Sequence, residues 1–134
     1  MEPIHTKHKI LVIDDDPDLR RLVSLVLSLS GYEVVEAKNG IEGMDVFKRE
    51  LPDCVLVDLM MPGMDGLRFL SWLREGAKAT MPVVTMTALD DEETLRSCLK
   101  AGASRVVKKP VQVEVLEQLV KELLAVAPAD IGAA

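Results

Sequence analysis

Aromatic residues are almost missing from this chain: one Trp, one Tyr and two Phe make up 3% of its 134 residues. So thin a set leaves little to stack on a flavin, and a flavin-binding reading fails on that count. Cysteine is equally scarce. Cys54 and Cys98 lie inside apolar stretches with no CxxC or His spacing around them, so they read as reduced core residues rather than a bridge or a metal site. Positive charge is in deficit, with 16 Lys and Arg against 22 Asp and Glu, a formal net charge of −6. That balance speaks against nucleic acid or an anionic membrane surface as the main partner, because phosphate binding needs clustered cations. No apolar run approaches the ~20 residues that span a bilayer. The polar start, Met1 to Lys9, lacks the apolar core of a secretory signal. The expectation is a cytoplasmic protein that binds neither membrane nor nucleic acid.

What remains is an ordinary globular composition, 49% hydrophobic and 28% charged, in a length that suits one domain. Short apolar runs alternate with amphipathic segments five times. Strands are expected at Lys9–Ile13, Glu33–Glu36, Cys54–Val57, Val83–Met86 and Arg105–Val107. Most are continuous apolar runs, the pattern of a parallel sheet covered on both faces. Helices are expected at Pro17–Ser30, Ile41–Arg49, Leu67–Glu75, Glu92–Ala101 and Val113–Val126. Asp16 before Pro17 reads as an N-cap with proline in the first turn. Asn39 with Glu42, and Asp90 with Glu93, have capping-box spacing, while Gly31 and Gly102 stand where helices stop. Repeated strand–helix units imply a single, doubly wound α/β sheet. The domain is expected over residues 9–126, between a flexible leader (1–8), which holds both histidines, His5 and His8, and a tail or linker (127–134).

In such a sheet ligands gather beyond the carboxyl ends of the strands. Asp14 and Asp15 close the first strand and Asp58 the third. Asp16 and Asp18 are explained by the helix start, but Asp58, after Val55-Leu-Val57, is not. At ~4 Å and an effective dielectric of ~20, each pair of like charges costs about 4 kcal/mol, so three converging carboxylates call for a cation. An all-oxygen donor set without His or Cys points to a hard divalent ion, Mg²⁺ first. Thr87 follows the fourth strand ahead of small Ala88, and Lys109 follows the fifth ahead of Pro110. An acid pair, an acid, a hydroxyl and an ammonium thus end strands one, three, four and five. Together they suit an anionic group bound beside a metal.

From Lys9 to Ala125 the sequence resembles the receiver domain of two-component response regulators. The matching stretches are Ile10-Leu-Val-Ile-Asp-Asp-Asp-Pro17, Val57-Asp-Leu-Met-Met-Pro-Gly-Met-Asp-Gly66, Met86-Thr-Ala88, Gly102-Ala-Ser104 and Lys109-Pro110. The resemblance implies a flavodoxin-like sheet of order 2-1-3-4-5 with five helices. It implies Asp58 as phosphoacceptor, attacking a phosphohistidine on a sensor histidine kinase or phosphotransfer protein. Mg²⁺ would be held directly by Asp15, Asp58 and the Met60 carbonyl, with Asp14 acting through water. Thr87 and Lys109 would hold the phosphoryl oxygens, and Gly63 and Gly66 permit the tight turn into the third helix. The output would pass to a protein target or an effector domain outside the chain. Such a domain is no enzyme beyond its own phosphorylation and dephosphorylation. The kinase is expected to dock beside Pro17, Arg20, Arg21, Pro62 and Pro110. Two positions depart from the family: Val106 stands where an aromatic switch residue is usual, and Val111 where Phe commonly follows Lys-Pro. The alternative is a pseudo-receiver that binds partners without phosphorylation. Its weakness is that all five site residues are present. A phosphohydrolase with Asp-x-Asp-x-Thr/Val on the first strand is disfavoured by Asp14-Asp-Asp-Pro17.

Overall fold

The computed structural model describes residues 7–125. His5 and the expected tail lie outside that range. Five strands, β1 (Lys9–Ile13), β2 (Glu33–Ala37), β3 (Cys54–Asp58), β4 (Val83–Thr87) and β5 (Arg105–Lys108), alternate with α1 (Pro17–Leu29), α2 (Gly40–Glu50), α3 (Gly66–Ser71), α4 (Glu92–Ala101) and α5 (Val113–Ala125). The sheet order is β2-β1-β3-β4-β5, and every pairing is parallel. This is the flavodoxin-like arrangement that the resemblance implied.

Side chains alternate across the strands and build two cores. Ile10, Val12, Cys54, Leu56, Val84 and Met86 meet Val23 and Leu27 of α1 and Leu116 and Val120 of α5. Leu11, Ile13, Val55, Val57 and Val83 point the other way, against Phe47, Phe69, Leu73 and Cys98 of the α2–α4 layer. Each fully buried Leu, Ile or Val contributes about 1.5–3 kcal/mol relative to exposure, which is why β1, β3 and β4 carry unbroken apolar runs. β2 and β5 at the edges are half-exposed and keep charged residues. Both cysteines are free and buried, and burial pushes the Cys54 thiol up to about 12, so it stays an inert thiol.

The Asp16 carboxylate accepts from the Asp18 and Leu19 amides, and Asn39 accepts from Glu42, as the spacing suggested. Two expectations are corrected. The α4 cap is Asp91, which accepts from the Thr94 amide and hydroxyl, while Asp90 reaches across to Lys108 at 2.7 Å. Only Asp91, directly before the first helical residue, can lay its carboxylate over the free amides. The third helix is also not uniform. Asp65 caps α3, but from Trp72 to Gly76 the turn widens to a π-helix, closed by the Ala77 amide on the Trp72 carbonyl. There Arg74 donates to the Gly102 carbonyl, at 2.9 and 3.1 Å, and to the Ala79 carbonyl, so a cation caps the end of α4.

Candidate functional site

The β1–β3 register sets Ile13 beside Val57, so the chain beyond Ile13 and the end of β3 at Asp58 reach the same edge of the sheet. Asp14 and Asp58 are buried, Asp15 is exposed, and each of the three offers a carboxylate oxygen within 4.8 Å of the others. Lys109 arrives from the other side. Its amide donates to the Thr87 carbonyl, which carries the β4–β5 pairing past the end of β5. The Lys109 Nζ then lies 3.2 Å from a carboxylate oxygen of Asp14 and 3.2 Å from one of Asp58. The peptide between Lys109 and Pro110 is cis.

Burial drives the electrostatics. Removal from water, reinforced by the Asp14 charge and only partly opposed by Lys109, pushes the Asp58 carboxyl from 3.8 to about 6. Burial alone would pull the Lys109 ammonium down, but Asp14 and Asp58 together outweigh it and hold it above its ordinary range. One cation shared by two buried carboxylates leaves the pocket acidic, with Asp15 at its open side. Three hard oxygen donors so close together suit a divalent cation such as Mg²⁺.

The other expected residues fall around this pocket. Thr87 is buried at the end of β4, and its hydroxyl accepts from the Leu89 amide at 3.0 Å. Met60 is 62% exposed at the pocket's rim, and its amide donates to Asp58. Gly66 has a backbone reason: a Cβ there would lie 2.5 Å from the Asp58 carbonyl oxygen and 2.8 Å from the Leu59 Cα, so any side chain would push the loop off β3. Val106 is partly buried against the α2–α4 core, opposite Thr85 in the sheet.

Pro17, Arg21, Pro62 and Pro110 are exposed on this edge, but Arg20 is not available there. It turns inward, donating to the Asp14 carbonyl at 2.7 Å and to the Glu36 carboxylate at 2.9 Å. Helical spacing already carried the signal, since position 20 lies three, four and seven residues before buried Val23, Ser24 and Leu27.

A family model described as response regulator receiver domain matches residues 10–121. The chain is 39% identical over 118 residues to the "probable transcriptional regulator ycf27" of Porphyridium aerugineum, covering 88% of this chain and 48% of that protein. It is 37% identical to an uncharacterized 14.6 kDa protein of Leptolyngbya boryana, covering 90% of this chain and 93% of that one. Among solved structures, the receiver domain of the Francisella response regulator 1452 superposes with a TM-score of 0.84 at 28% identity, covering 89% of this chain and 98% of that one. The chain spans about half the length of the ycf27 relatives it matches.

Proposed function

The chain belongs to the response regulator receiver domain family, and we propose that it is a two-component phosphorylation switch whose phosphoacceptor is Asp58. The observation that carries this reading is the convergence of Asp14, Asp15 and Asp58 within 4.8 Å, with Lys109 3.2 Å from two of them. A carboxylate oxygen of Asp58 attacks the phosphorus of a phosphohistidine on a histidine kinase or phosphotransfer protein. The P–O bond forms, the P–N bond breaks, and its electron pair stays on the imidazole nitrogen. The work is alignment and neutralisation of charge rather than proton transfer. Mg²⁺, held by Asp15, Asp58 and the Met60 carbonyl, supplies part of that neutralisation when bound. Lys109 and the Thr87 hydroxyl hold the phosphoryl oxygens. The protein turns over no separate substrate and acts only on its own phosphorylation state. The switch occupies residues 9–126, works in the cytoplasm, and signals to a protein target or an effector domain outside this chain. Among the described residues, no helix is long and apolar enough to cross a membrane.

The direct test is intact-mass analysis after incubation with acetyl phosphate and Mg²⁺. Wild type is expected to gain one phosphoryl group and Asp58→Asn none. Equal labelling of both would refute the assignment, and no labelling of wild type would favour the pseudo-receiver.

The two neighbouring acids differ in availability. Both Asp14 carboxylate oxygens are engaged, one by the Asp16 amide and one by Lys109. Among the described residues, none donates to the Asp15 carboxylate. Calorimetric titration should therefore find Asp15→Ala weaker in Mg²⁺ binding than Asp14→Ala. The reverse order would contradict the direct role given to Asp15.

The signal is expected to leave through the loop after β4. When the Thr87 hydroxyl turns toward a phosphoryl oxygen, the Leu89 amide loses its acceptor, so the loop to Asp91 must re-form its bonds. Val106, short and β-branched, has no ring to swing between two positions. Beryllofluoride should shift the amides of Thr87–Asp91 strongly and those of Arg105–Lys108 less. Large shifts spread coherently over α4, β5 and α5 would mean that another side chain does the ring's work.

A further inference from the structure

We propose that Arg20 is a positioning residue for the metal-binding turn, acting through the Asp14 carbonyl and held in place by Glu36. This rests on the metal role given above to Asp15 and Asp58. Asp14 is held at four points: its amide donates to the Ala37 carbonyl at 3.2 Å, its carboxylate takes the Asp16 amide and Lys109, and its carbonyl takes Arg20 Nη1 at 2.7 Å. The carbonyl bond matters most for Asp15. A peptide group is planar, so holding the Asp14 oxygen restrains the plane that carries the Asp15 amide and Cα. With the Asp16 amide held by the Asp14 carboxylate, the peptides on both sides of Asp15 are restrained, and so is the direction in which its side chain leaves. Asp15 is exposed, and among the described residues nothing else grips its carboxylate. Its aim at the pocket therefore depends on the backbone.

The guanidinium suits this task. Its Nε bonds Glu36 at 2.9 Å while Nη1 reaches the carbonyl, and its side chain is only 15% exposed. Glu36 stands on β2 opposite Val12, so the fork is anchored in the sheet rather than in the helix that carries Arg20. A lysine holds the same charge but has no rigid fork with which to reach both acceptors.

Charge must be kept apart from position in the test. Removing Arg20 alone leaves Glu36 as an extra negative charge near the pocket, which would favour Mg²⁺ and mask a loss of alignment. The double variant Arg20→Met with Glu36→Gln keeps the net charge and the volume but loses the grip. Calorimetry with Mg²⁺ alone is expected to show it about tenfold weaker than wild type, the lower end for residues that orient metal ligands. Arg20→Lys should fall between the two. In the metal-free proteins, NMR should show the Asp14 carbonyl carbon and the Asp15 amide nitrogen shifted in both variants. A residue serving only stability would lower the unfolding temperature and leave Mg²⁺ affinity of the folded protein unchanged. Equal affinity in wild type and the double variant overturns the proposal, as does an unmoved Asp14 carbonyl resonance. If the double variant does not fold, Arg20→Lys decides alone by the same two readings. Wild type failing to bind Mg²⁺ would instead overturn the metal site itself, and this inference with it.

Discussion

Lys109→Met is expected to take phosphoryl from acetyl phosphate about 100-fold more slowly than wild type, the loss typical of removing one preorganised donor to developing negative charge, while binding Mg²⁺ more tightly. The two effects point in opposite directions because the proposed mechanism gives the ammonium a second job beside its resting contacts. In the resting protein its Nζ sits 3.2 Å from both Asp14 and Asp58 and competes with any metal for their charge. In the transfer step proposed above it would pair with a phosphoryl oxygen. Methionine keeps the apolar stem and removes both roles. The metal-free variant should also be less stable by about 3 kcal/mol near neutral pH, since two buried carboxylates then face each other without a partner. Part of that loss should return as the pH falls and Asp58 takes up its proton. Urea unfolding at about pH 7 and about pH 5, with metal titration and labelling rates, gives all three readings. Labelling at the wild-type rate would remove Lys109 from the transfer step.

The features that sequence could locate are those where local chemistry and global fold agree. The buried runs of β1, β3 and β4 can be nothing but central strands. Because parallel strands end on one edge, placing them also places Asp14, Asp58 and Thr87. Lys109 follows in the same way from the Thr87 carbonyl. What sequence could not give depends on which of several equivalent groups wins a contact. Asp90 and Asp91 are chemically alike, and one residue of offset sends one to the helix cap and the other to Lys108. The π turn at Trp72–Gly76 has no propensity of its own; it accompanies tertiary contacts, the Trp72 ring against Phe47 and Phe69 and the Arg74 reach to Gly102. Arg20 looked like part of a basic surface pair because Arg and Lys are mostly exposed. The helical stripe said otherwise, and the Asp14 carbonyl and Glu36 explain why a charge can sit on it.

Mg²⁺ affinity should fall about tenfold for each pH unit below 6, because the metal must then displace a proton from Asp58. Burial, with the Asp14 charge behind it and Lys109 against it, lifts this carboxyl from 3.8 to about 6. Its contribution to folding has the opposite sign from that of most carboxylates. Between 3.8 and about 6 the folded protein holds a proton that the unfolded chain has released. Without metal, Asp58 therefore makes the fold less stable as the pH rises through that window, and its effect levels off above it. Saturating Mg²⁺ reverses the trend, since it binds the ionised folded form and stabilises by mass action. The other acids of the chain add their own slopes, so the quantity to read is the difference between wild type and Asp58→Asn. Thermal unfolding over about pH 4 to 7 should show that difference moving against wild type without Mg²⁺ and toward it with Mg²⁺. In Asp58→Asn the dependence of Mg²⁺ affinity on pH around 6 should vanish. Equal wild-type affinity at about pH 5 and about pH 7 would mean that Asp58 is already ionised well below 6, with Lys109 rather than burial deciding its charge.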